Sequence, residues 1–300
     1  MSLISLGTVA IDNLTTPSGV RNNLLGGSAA HFSMSARLFT KVHLASIVGQ
    51  DFPTKHMNFL KNLGIDTTSV IERDGNTFRW VGEFKKDDMD NAITHETDLG
   101  VLMSYSPQVA YDQRNIENVF LANFDPDIQI EFLSLMKNTK FIGLDSMNLW
   151  IDIKRKSLQK LMKKVNLFVV NDNEAKMLSE EDNIIKAAKK LRKMGPEIVI
   201  IKKGEHGSFV YTDDFMFSFP AYPVDKVIDP TGAGDTFAGG VMGTLTKAKK
   251  VNEKTLRQAV INGTTLASFN VQGFAMAKTA PLTLTDMNTR RKDLLKFITP

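Results

Sequence analysis

The folds open to this chain are limited most by a set of short, nearly unbroken apolar runs. Residues 119–123, 141–144, 167–170 and 198–201 contain almost no polar side chain. A strand with one wet face alternates apolar and polar residues, whereas a strand covered on both faces has no reason to alternate. The intervening residues 127–136, 157–163 and 183–193 show helical spacing instead. Strand and helix in steady alternation predict a doubly wound, mainly parallel α/β sheet with helices on both faces.

The first hundred residues add a second pattern. Residues 4–10 and 42–48 read as further buried strands, and 29–38 and 54–63 as helices, the latter closed by Gly64. Then 69–73, 77–84 and 93–99 follow one another with turn residues between them and no helix. That is the signature of hairpin-linked strands. We assign these, with 12–25, to a small β lid spanning 12–25 and 66–99, and give 1–11, 26–65 and 100–300 to the main domain. Residues 207–212 and 216–219 read as a closing antiparallel pair, and the last third as helices at 233–245, 253–269 and 284–297. A length of 300 residues suits one large domain with an appendage.

Composition removes several function classes. With no cysteine, disulfides, thiolate catalysis and thiolate-bound metals are excluded. The opening residues lack the basic and apolar regions of a signal peptide, and no apolar stretch of about 18 residues suggests a membrane span. A cytoplasmic location with no membrane partner is expected. Net charge is +4, and the densest basic run, Lys247, Lys249, Lys250 and Lys254, has no interleaved aromatic residues. It reads as a solvated helix end rather than a nucleic-acid groove. A mildly positive field suits a small anionic substrate.

The chemistry is concentrated in DPTGAGDTFAGG at residues 229–240, which leads from a short apolar stretch into a helix. Gly232 and Gly234 let backbone N–H groups converge without Cβ obstruction, and the helix start adds the positive end of its dipole. Such a turn attracts an anion, and a phosphoryl group fits. Asp235, in the first helical turn, reads either as a dipole-stabilising carboxylate or as a general base beside the phosphate.

This segment resembles the C-terminal signature of the ribokinase/PfkB carbohydrate kinases. The resemblance implies a ribokinase-like fold, a Rossmann-like three-layer sandwich with a β lid, and ATP-dependent phosphorylation of an alcohol. It makes Gly232, Ala233 and Gly234 the anion hole and Asp235 the catalytic base. Gly26 and Gly27 in GGSAA resemble the family's N-terminal glycine pair and imply a substrate pocket, with Asp12 binding substrate hydroxyls. His31 stands near where many sugar kinases carry Asn, a departure that weakens a reading as a ribose or fructose kinase. Asn171 and Glu174 in NDNE resemble the Asn-x-x-Glu motif that positions Mg²⁺, largely through water. KKGEHG at 202–207 resembles the Gly-x-x-Gly turn beside the nucleotide, with Lys202 in place of the usual Thr. Lys202, Lys203, Gly204, Gly207 and Thr231 are therefore nucleotide candidates, as are Asn262 and Ser268 on a late helix. Asp229 and Thr231 are candidates for a monovalent-cation (K⁺) site. Gly49-Gln50-Asp51 matches a short family turn, with Asp51 expected to cap the next helix.

The acceptor remains open between a sugar and a nucleoside, for which Phe32, Phe78 and Trp80 offer aromatic surface. The lid is expected to close over the acceptor, and an apolar lid face would favour a homodimer. A dinucleotide-dependent oxidoreductase lacks its Gly-x-Gly-x-x-Gly after the first strand, and no P-loop is present. A catalytically silent nucleotide-binding regulator on the same fold is disfavoured by retention of Asp235 with the whole glycine turn.

Overall fold

The computed structural model describes residues 1–298. Its strands are β1 (Ser2–Leu6), β2 (Ala10–Thr16), β3 (Gly19–Gly26), β4 (Lys41–Gly49), β5 (Asp66–Arg73), β6 (Arg79–Lys85), β7 (Asp88–Asp98), β8 (Asn118–Leu121), β9 (Phe141–Asp145), β10 (Leu167–Asn171), β11 (Ile198–Lys202), β12 (Ser208–Tyr211) and β13 (Met216–Phe219). The helices are α1 (Ser28–Ala36), α2 (Thr54–Asn62), α3 (Pro126–Leu135), α4 (Asn148–Ile153), α5 (Arg155–Met162), α6 (Asp172–Ser179), α7 (Ile184–Lys193), α8 (Ala233–Lys247), α9 (Glu253–Asn270) and α10 (Leu284–Ile298).

Nine strands form one sheet in the order β13-β12-β11-β10-β9-β8-β1-β4-β5, parallel from β11 to β5 and antiparallel at the β12–β13 edge. The unbroken apolar runs are explained by alternation between two cores. Leu167, Val169, Ile198 and Ile200 face one hydrophobic cluster, while Phe168, Val170, Val199 and Ile201 face the other. The order reverses at β1, with β4 on one side and β8 on the other, so a crevice opens at the carboxyl ends of these strands. Hydrogen bonds from Ser28 to the Asn123 carbonyl and between Ser28 and Thr8 tie the loops there to the start of α1.

The other sheet has the order β3-β2-β6-β7. Two expectations are corrected. The strand expected at 4–10 stops at Leu6, because Gly7 is wedged against Ala122, Ser28 and Ala29, and Thr8 turns to Ser28. Residues 66–73 do not belong to the lid. They pair in parallel with β4 as the edge of the main sheet, from His43 opposite Asp66 to Gly49 opposite Arg73. An edge strand is half wet, so it alternates as a lid strand does, which is why the sequence pattern misled.

Asp51 does not cap α2, whose first turn has no side-chain cap. Its carboxylate accepts hydrogen bonds from the Thr77 amide and hydroxyl, both 2.7 Å, and pairs with Arg79. It thereby fixes the point where the chain leaves the main sheet for β6. Phe32 lies fully buried, stacked on Phe120 with ring centroids 4.1 Å apart, and is unavailable to a substrate. Phe32→Ala should lower unfolding free energy by about 3–5 kcal/mol through the cavity it leaves, read from urea denaturation midpoints. Among the described residues no helix is long and apolar enough to cross a membrane.

Candidate active site

Three neighbouring strands, β9, β10 and β11, end in Asp145, Asn171 and Lys202. Each is the first polar residue after an apolar run, and each therefore sits at the crest of the sheet facing the crevice. The start of α8 faces the same crest.

That start is built to leave amides free. Gly232 adopts φ 72°, a left-handed conformation that suits glycine, and a Cβ there would lie 2.3 Å from the His31 ring. Ala233 donates to the Pro230 carbonyl and Thr236 to the Gly232 carbonyl. Among the described residues the N–H groups of Gly232 and Gly234 have no hydrogen-bond partner. The turn is braced from below by two residues. Asp229 is fully buried and its carboxylate accepts the amides of Thr231 and Ala275, at 2.9 and 2.8 Å. Asn270 donates to the Thr231 carbonyl and accepts from the Thr236 hydroxyl. His31 is 1% exposed, and neither ring nitrogen meets a hydrogen-bond partner of ordinary geometry, although the Asn270 amide faces the ring. Burial holds the imidazole below its usual pKa, against the opposing pull of Asp229.

Asp235 is closely packed around by protein yet is not fully buried. Burial first, and then the negative charge of Asp145, push its pKa up to about 7, while Lys202 pulls it down. Asp12 on β2 is 4% exposed. Burial and the charges of Asp229 and Asp235 push it up to about 8. Asp12 lies so close to Gly26 that any side chain at 26 would overlap the carboxylate. Gly27, at φ 99°, brings the chain against the Thr8 carbonyl before α1 begins.

Asn171 and Glu174 form a reciprocal cap on α6: the Asn171 side chain accepts the Glu174 amide at 2.7 Å, and Glu174 Oε2 accepts the Asn171 amide at 2.8 Å. Burial, opposed by Lys202, raises Glu174 to about 7. Lys202 is ion-paired with Asp145 at 3.0 Å, and its Nζ lies against Gly234. Lys203 and Gly207 close a tight turn, amide to carbonyl at 2.8 Å. Gly204, at φ 52°, sits in that turn under Asp90 of β7, so the smaller sheet touches the main sheet's loop.

Residues 7–281 match the pfkB family carbohydrate kinases. The chain belongs to that family. It is a small-molecule kinase with a ribokinase-like fold. A cytidine kinase of Thermococcus kodakarensis is 29% identical over 260 residues, covering 84% of this chain and 91% of that protein. A nucleoside kinase of Methanocaldococcus jannaschii is 26% identical over 256 residues, covering 82% and 79%. A crystal structure of the Methanocaldococcus jannaschii nucleoside kinase, described as an archaeal member of the ribokinase family, superposes with a TM-score of 0.78 at 22% identity, covering 97% of this chain and 98% of that one.

In this pfkB kinase the fold brings Asp12, Gly26, Gly27, His31, Asn171, Glu174 and Lys202 together near the 229–235 turn through a chain of contacts and charge interactions. Asn262 and Ser268 lie on α9 with their side chains engaged by the protein. Asn262 bonds Thr244 and Gln258, and Ser268 bonds the Thr265 carbonyl and Arg290. Two residues of the site escaped the sequence reading. Asp145 carried the available signal, a polar residue closing an apolar run as Asn171 and Lys202 do. Asn270 carried none, since its role depends on α9 folding back under the turn.

Proposed function

We propose that this chain transfers the γ-phosphoryl group of ATP to a hydroxymethyl group of a nucleoside, with Asp235 as general base. The observation that carries the reading is the pairing, at the start of α8, of Gly232 and Gly234 amides unpartnered among the described residues with an incompletely buried Asp235 whose pKa is raised to about 7. As the acceptor oxygen bonds to γ-phosphorus, the bond from phosphorus to the β,γ-bridging oxygen breaks. ADP leaves with that electron pair, and the acceptor proton passes to Asp235. Catalysis then rests on positioning and on the glycine amides taking up charge on the phosphoryl oxygens.

Mg²⁺ suits the oxygen-only pair of Asn171 and Glu174. Each uses oxygen in the α6 cap, yet Glu174 Oε1 has no hydrogen-bond partner among the described residues, and its buried carboxylate has reason to favour a cation. When bound with ATP, the ion would neutralise phosphate charge. K⁺ fits less well beside Asp229 and Thr231. Both Asp229 oxygens accept amides, leaving the buried Thr231 hydroxyl as the unpartnered oxygen. No step is assigned to such an ion. The contact of Asp90 with Gly204 supports a lid that closes over the acceptor and excludes water.

A nucleoside is favoured over a free sugar by the relatives' activities and by Trp80. Asp12 and Trp80 are direct partners in the β2–β6 pairing, so both side chains leave the lid on one face. Asp12 would take sugar hydroxyls while the indole, lying across Gly82 with its Nε1 donating to Thr94, offers a flat surface to the base. A panel of nucleosides and free sugars, assayed by ADP release, tests this. Cytidine or another nucleoside should be turned over in preference to ribose and fructose, and preference for a free sugar refutes the reading. Trp80→Ala should raise the KM for the nucleoside about 10- to 100-fold, the scale of one lost base–aromatic stack, and leave the KM for ATP unchanged.

A further inference from the structure

Near the start of α8 the Lys202 ammonium lies among the carboxyl groups of Asp145, Glu174 and Asp235. Lys202 ends β11 and Asp145 ends β9, with β10 between them, so the lysine stem reaches across a whole strand to make its 3.0 Å ion pair. Asp145 is held ready for it: Oδ1 accepts the Ser146 amide at 2.8 Å, leaving Oδ2 for Lys202. The pair is buried, with side-chain exposures of 18% for Lys202 and 5% for Asp145. The ammonium is thereby pressed onto the first turn of α8. A Cβ on Gly234 would lie 2.8 Å from Nζ and 3.6 Å from Cδ and Cε.

The consequence is geometric. An anion bound to the free amides of Gly232 and Gly234 would meet Lys202 as its nearest side-chain cation. Without Asp145, the same ammonium would be free to turn toward Glu174 or Asp235, whose charges it also feels. We propose that Asp145 is a positioning residue for phosphoryl transfer: it holds Lys202 against the Gly234 turn, from which the ammonium is released to the phosphoryl group as charge builds there. Lys202 is then the side-chain member of the anion hole. The inference rests on the phosphoryl-transfer role given to that turn above, but not on Asp235 being the base.

Besides Asp145, the titratable groups whose charges reach Lys202 are Glu174 from α6 and Asp235 from α8. In so enclosed a setting an ammonium aimed at the turn acts on a phosphate more strongly than it would on an open surface.

The test is the affinity for ADP with Mg²⁺, measured by calorimetry with and without aluminium fluoride, which mimics the phosphoryl group in flight. Lys202→Met should leave ADP affinity within about twofold and weaken the aluminium fluoride complex about a hundredfold, the loss of one anion-hole donor. Asp145→Asn should weaken that complex about tenfold, and the double variant should be no weaker than Lys202→Met alone, since Asp145 acts through Lys202. Lys202→Gln, which can still bond Asp145, replaces Lys202→Met if the latter fails to fold. Wild-type affinity for the aluminium fluoride complex in the lysine variant overturns the proposal. So does a double variant whose loss is the sum of the two singles, or an equal loss of ADP affinity. Asp235→Asn, run alongside, separates the two readings. Its turnover reports on the base alone, so an active Asp235→Asn with a defective Lys202→Met removes the base and leaves this inference standing.

Discussion

Asp235→Asn is expected to lower kcat by at least about a hundredfold, the usual scale for removing a general base. The fold and the affinity for ATP should be retained. Asparagine keeps the shape of the side chain and removes a carboxylate whose burial raises its pKa to about 7. The helix start loses little, because the braces of the turn are Asp229 and Asn270. The measurement is steady-state turnover, with circular dichroism and ATP titration as controls. Turnover within a few-fold of wild type would mean that the acceptor proton leaves by another route, and the mechanism would fail. A loss of ATP affinity with kcat unchanged would instead make Asp235 a ground-state binding residue.

Much of this site was legible because it depends on local backbone chemistry. The DPTGAGDTFAGG segment states its own geometry: glycines where φ turns positive or the chain must pass close to Lys202, and an aspartate in the first turn of a helix. The apolar runs stated the two-sided sheet. What stayed hidden depends on tertiary pairing. Whether residues 66–73 joined the lid or the main sheet was decided by the open edge of β4, not by their own pattern. Asp51 resembled a helix cap in sequence but serves Thr77 and Arg79, residues more than twenty positions away. Phe32 resembled a substrate-facing ring, and only the fold stacks it on Phe120. Asp145 was visible as a strand-ending polar residue, yet its importance lies in Lys202 reaching it across β10.

Activity and stability of this kinase should respond to pH in opposite directions, because both are set by carboxylates that burial holds protonated. Asp235 must be ionised to accept a proton. With its pKa near 7, kcat/KM should fall about tenfold per pH unit on the acid side, to about a hundredfold below its plateau by pH 5. The fold has the reverse preference. Asp12 rises from 3.8 in the unfolded chain to about 8, and Asp235 from 3.8 to about 7. Between those values the folded state holds a proton that the unfolded state has lost. Their stabilising contribution is therefore complete below pH 3.8 and is lost as pH rises through 7 and 8. His31, lowered by burial, acts with the opposite sign below its ordinary value of 6.5, so wild type should be compared with a variant that keeps it. Asp12→Asn is that variant. Between pH 5 and pH 9 the urea-unfolding free energy of wild type should drop by at least about 2 kcal/mol more than that of Asp12→Asn, a deliberately low figure for a shift of this size. Parallel pH curves for the two proteins would show that Asp12 is not held protonated, and would withdraw the crowding of Asp12, Asp229 and Asp235 from the account of the acceptor pocket.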